Sequence, residues 1–117
     1  MTRIFSVLLI LFSLQAFSQQ TAIYRDPEKD YQQGLDLLEK QKYGAAQKLF
    51  MQVLESKAHL SNDVISNSAY FNAKCASELF NKDAEFLLLD FIEKYPASSN
   101  YQPALFDLGI YYYRLKR

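Results

Sequence analysis

The chain is predicted to be all-α, built from antiparallel helical hairpins that stack into a solenoid of about two and a half repeats. Three observations predict this. Apolar residues recur at steps of three and four, no segment alternates Val, Ile or Thr and no Asn-Gly turn occurs, and a pattern of small and aromatic residues returns after 37 or 38 positions.

Ahead of the array, Met1 to Arg3 make a short basic start, Ile4 to Phe12 an apolar run, and Ala16-Phe17-Ser18 a small-residue exit. That order is the pattern of a secretory signal peptide over residues 1–18, cut after Ser18. A bilayer-spanning helix needs about 20 apolar residues, and Ser13, Gln15 and Ser18 interrupt this run too soon. Residues 19–25 form a polar connector to the repeat domain at 26–117. No cysteine stands near the exit to accept a lipid, so the expected address is exported, periplasmic or envelope-associated, and not that of a lipoprotein. Membrane contact is then expected only through the signal peptide, before cleavage.

The first helix starts at Asp26-Pro27-Glu28, which supplies a cap acceptor, a proline at the first helical position and an acid in the first turn. Tyr31, Leu35 and Leu38 continue it as one stripe. Tyr43-Gly44 breaks that stripe, and Ala46, Leu49, Phe50 and Val53 carry the second helix. Ser61 or Asn62 caps the third, whose apolar residues are Ile65, Ala69, Phe71, Ala73, Ala76 and Leu79. Asn81-Lys82-Asp83 supplies the next turn and cap, and a fourth helix runs through Phe86, Leu88 and Phe91 until Pro96 disfavours helical geometry at Tyr95. Ser99 or Asn100 caps a fifth, with Leu105, Phe106, Leu108, Ile110 and Tyr112.

Thirteen basic and thirteen acidic residues give no net charge, and loss of Arg3 leaves −1. Both signs are scattered, so no basic patch points to nucleic acid. Cys75 is the lone cysteine, which rules out an internal disulfide even in an oxidising compartment. Packing alone must hold the fold. With roughly 60 to 65% of the unfolded surface buried on folding, 99 residues support one core.

Self-comparison lays Gly34, Tyr43, Ala46, Phe50 and Val53 on Asn72, Asn81, Ala84, Leu88 and Phe91, and Gly109 follows Asn72. Small residues at helix crossings let the axes approach, and aromatics fill the space beside them. These positions, with Pro96 after the second hairpin, resemble the tetratricopeptide repeat (TPR). The junction from Tyr95 to Tyr101, with Ala104, Gly109 and Tyr112 beyond, is similar to the envelope subclass that includes the BamD-like assembly factors and the TolA-binding coordinators. The resemblance covers Asp26 to Arg117 and implies a TPR-like right-handed α-solenoid with repeats at about 26–57, 61–96 and an incomplete 99–117. The period exceeds the family's roughly 34 residues by three or four, which fit Ala58 to Asn62 and Ala97 to Tyr101. Asn72 and Asn81 depart from the small residue and the turn tyrosine. Gly34, Tyr43, Ala46, Phe50, Ala84, Leu88, Pro96 and Gly109 are therefore the expected helix-packing signature. The fifth helix lacks its own second helix. Either it caps the array, or further TPR repeats follow Arg117; its three consecutive tyrosines favour the second.

No catalytic constellation accompanies the repeats. Cys75 lies among helix-packing residues and behaves as a small hydrophobe. His59 has no His or Cys companion at metal-ligand spacing, and the carboxylates at Asp26, Glu28, Asp30, Asp83 and Glu85 suit helix starts. Neither a cofactor nor a metal is expected, and the chain is not expected to be an enzyme. The TPR resemblance implies a groove lined by the first helix of each pair, here Tyr31, Leu35, Leu38, Ala73, Phe106, Ile110 and Tyr113, able to take an apolar peptide or helix from an unidentified protein partner. The expected function is an exported protein–protein interaction scaffold in envelope assembly or maintenance. Nine tyrosines and nine phenylalanines raise a glycan- or peptidoglycan-binding module as the alternative, although tryptophan is absent.

Overall fold

The computed structural model describes residues 26–56 and 59–116. The signal peptide and connector expected over residues 1–25 lie outside the described residues. Among the described residues five helices follow one another: α1 (Pro27–Glu39), α2 (Tyr43–Glu55), α3 (Asn62–Glu78), α4 (Ala84–Lys94) and α5 (Tyr101–Leu115). Among the described residues there is no strand. The chain is all-α, as the apolar spacing requires.

Helix starts follow the capping rules in part. Asp26 accepts the Glu28 N–H at 3.1 Å, with Pro27 at the first position of α1. Of the two candidates at α3, Ser61 is the cap, its hydroxyl accepting the Val64 N–H at 3.2 Å. Asp83 and Asn100 occupy the cap positions of α4 and α5, but neither side chain bonds the helix. Asn100 instead spends its amide on Asn67 of α3, at 2.7 Å.

The first turn differs from the expected break at Tyr43-Gly44, since both residues belong to α2. The chain reverses at Gln41, whose φ is 58°. There the Lys42 N–H bonds Leu37 O and the Gln41 N–H bonds Leu38 O, both at 2.9 Å. That pair of hydrogen bonds is a Schellman closure, which satisfies carbonyls at the end of α1. The end of α3 repeats it: Phe80 has φ 55°, the Asn81 N–H reaches Ala76 O at 3.0 Å and the Phe80 N–H reaches Ser77 O at 3.2 Å. Glycine usually fills this left-handed position and neither turn has one; the second reversal lies directly before the expected Asn81-Lys82-Asp83 turn, which does connect α3 to α4.

Contacts fix the directions. Phe91 packs near Ala104 while Ala84 packs near Tyr111, so α4 and α5 run antiparallel. Asn67 meets Asn100, Tyr70 meets Asp107 and Glu78 meets Arg114, so α3 and α5 run parallel. Each helix packs on its successor, and α3 also touches α1 and α5.

A chain of rings runs through the core. Tyr31 stands edge-on to Phe50 at 6.2 Å, Phe50 lies 5.4 Å from Phe71, Phe71 lies 5.4 Å from Tyr70, and Tyr70 lies 5.5 Å from Phe91. Phe91 then meets Tyr95 at 5.5 Å. Such pairs add about 0.5 to 1.5 kcal/mol each beyond their buried area. Gly34 makes room for the chain, because a Cβ there would lie 2.8 Å from Cε1 of Phe50. Ala46, Ala84 and Leu88 of the packing signature are fully buried. Gly109 behaves differently: a Cβ there would meet nothing within 4 Å. Pro96 is exposed and Tyr43 half-buried.

Two stability outcomes are expected. Phe50→Ala removes a ring with no exposed surface that touches three helices, and should lower unfolding free energy by about 3 to 5 kcal/mol in urea titration. Gln41→Gly relieves the left-handed strain at an exposed turn and should raise it by about 1 kcal/mol. A loss on Gln41→Gly would contradict the turn geometry.

Candidate functional site

Reactive side chains are dispersed. Cys75 is fully buried in the α1–α2–α3 core, and burial pushes its thiol from 9.0 up to about 11, against a small opposing pull from Lys74. His59 is exposed on the connector before α3. Among the described residues no three His, Cys, Asp or Glu side chains gather to hold a metal ion. No helix there is long and apolar enough to cross a membrane.

A raised folded pKa means that the fold favours the neutral thiol. Its contribution is complete below pH 9 and is lost as pH climbs through about 11. At pH 8 the folded thiolate population should be about a hundredfold below that of the unfolded chain. Iodoacetamide labelling followed by mass spectrometry, in buffer and in urea, checks this; equal rates would place Cys75 at the surface.

The residues expected to line a groove separate into two groups. Ala73 has no exposed surface and Tyr31 only 8%, so both belong to the core and offer nothing to a partner. Ala76 is closed over in the same way. Small side chains draw neighbouring helices together, and that approach closes over Ala73, which was expected to line the groove. Leu35 and Leu38 are half-buried against Phe50 and its neighbours. On α5 the outcome is the reverse: Phe106 is 68% exposed and Tyr113 81%, with Ile110 half-buried on their flank. Gly109 lies between them.

Helix α5 is held firmly from its other side. Ala104 and Tyr111 are buried against α3 and α4. The Tyr70 hydroxyl donates to the Asp107 carboxylate, and Lys74 Nζ lies 3.5 Å from the same group. Burial, then that hydrogen bond, raises the Tyr70 pKa, so the phenol stays protonated and keeps donating. Arg114 pairs with Glu78 at 3.7 Å and covers the Phe80 ring at 5.8 Å. Tyr112 donates to Glu85 of α4 at 2.6 Å. Both charges inside α5, Asp107 and Arg114, thus turn toward α3, and the outward stripe of Gln102, Phe106, Gly109 and Tyr113 carries none.

A second lateral line joins first helices. The Asn67 amide donates to the Tyr31 hydroxyl at 3.2 Å, and Asn100 donates to Asn67. Sequence reasoning passed over Asn67, Tyr70, Lys74 and Asp107. The signal existed as separations of 33 to 37 residues, but polar residues at helix spacing are common on any solvated face. Set against protein-family models, curated proteins and solved structures, the chain matches none of them.

Proposed function

We propose that the chain is a TPR-like, right-handed helical scaffold that works by docking an apolar helix or peptide of a protein partner. The observation that carries this reading is the outward stripe of α5, where Phe106 and Tyr113 stand largely in solvent on a helix clamped by α3 and α4. A rigid, uncharged, aromatic stripe suits an amphipathic helix, since aromatics supply contact area at small entropic cost. Small residues at the crossings of consecutive antiparallel helices support the TPR assignment. The basic start, apolar run and small-residue exit of residues 1–18 support export to the periplasm or envelope. There the scaffold would serve assembly or maintenance of the envelope through its partner.

Photo-crosslinking in cells tests the reading. A photoreactive side chain at position 106 or 113 should trap a protein in the envelope fraction, while one at Lys48, exposed on α2, should not. Trapping that is equal at all three positions, or absent at 106 and 113, rejects it.

A further inference from the structure

We infer that the outward face of α5 pairs with the same face of a second copy of this chain, antiparallel about a two-fold axis. The inference rests on the interaction reading of α5 and names its occupant. Its template is inside the molecule. In the first hairpin, Gly34 is the seat for the Phe50 ring, so close that a Cβ would lie 2.8 Å from Cε1. Gly109 occupies the matching position two repeats later, on a helix, with nothing within 4 Å of where its Cβ would stand.

The ring that fits this seat is on the same helix. Phe106 precedes Gly109 by three residues, and it is 68% exposed. In an antiparallel pair, Phe106 of each copy lies over Gly109 of the other, so one operation fills both seats. An isologous interface requires this self-complementarity, in which a residue and its counterpart exchange roles across the axis. Tyr113 then falls opposite Gln102, which has the reach to accept its hydroxyl.

Charge permits the pairing. Asp107 and Arg114 are engaged with α3, and Lys116, at the end of the stripe, is carried to opposite ends of an antiparallel pair. No like charges meet. Area decides its strength. Phe106 and Tyr113, at 68% and 81% exposure, offer about 300 Å² per copy and about 600 Å² for the pair. Flanking Leu105 and Ile110 bring the total to roughly 800 Å², in the range of weak, transient interfaces below the about 1,200 Å² of a standard one. A reversible dimer, sensitive to single substitutions, is the expected form.

Sedimentation velocity of the full chain across a range of concentration tests this, with circular dichroism confirming that each variant folds. Wild type should move between monomer and dimer. Gly109→Leu blocks the seat and Phe106→Ala removes the ring, and each should weaken dimerisation by about tenfold or more. Gly109→Leu should at the same time raise thermal stability of the monomer, because leucine favours an exposed helix over glycine. Phe86→Ala, an equally exposed ring on α4, should leave the dimer unchanged. A wild type that stays monomeric, or an association indifferent to both α5 variants, overturns the inference. In that case crosslinks from positions 106 and 113 to a different protein would leave the docking reading of α5 standing; their absence would remove both.

Discussion

The line of aromatic contacts from Tyr31 through Phe50, Phe71, Tyr70 and Phe91 to Tyr95 is the constraint on which this fold depends. No disulfide or metal-ligand cluster joins the described helices, and α1, α2 and α4, of 13, 13 and 11 residues, are marginal in water by themselves. The rings solve this by passing from one helix to the next, so α1 to α4 all bury a share of one continuous apolar thread. Tyr70 extends it to α5 through Asp107. Because a tyrosine provides that last link, its apolar body belongs to the core and its hydroxyl to the lateral polar line. One residue thereby couples the two systems that align the helices.

Close packing of α3 has its own polar cost. Ser68 is fully buried and Asn72 nearly so, and neither Ser68 Oγ nor Asn72 Oδ1 has a hydrogen-bond partner among the described residues. A buried acceptor left unpaired typically costs about 1 to 3 kcal/mol. Shifts of 38 and 37 residues align Asn72 with Gly34 and Gly109, so α3 carries a polar group where α1 and α5 carry glycine. Its amide oxygen is the point at which local packing and polar satisfaction disagree. Ala73 and Ala76, both without exposed surface, restore the close approach on the same helix.

Much of the architecture was legible because it rests on spacing. Ala46, Phe50, Ala84 and Leu88 are core residues since they fall where consecutive helices cross, and a shift of 38 aligns the two pairs. The turns were less legible. Gln41 and Phe80 adopt a conformation that glycine advertises and these residues do not. Exposure of the residues expected to line a groove was only partly legible. Phe106 and Tyr113 are exposed on α5, whereas Tyr31 and Ala73 are buried because of how closely α1, α2 and α3 approach. That distance is a tertiary property, which periodicity along one helix does not contain. Gly109 shows the same limit from the other side, since a glycine equivalent to Gly34 in sequence lacks a neighbour in space.

Contacts between helices are confined to near neighbours: α1 and α2 reach α3, whereas neither packs on α4 or α5. A body wired in this way transmits load serially, as springs joined end to end do, and its compliance grows with each unit added. Tension applied at Asp26 and Lys116 would spread the strain over the junctions instead of shearing a single core. The near-neighbour contacts would let one junction yield while the others keep their shape.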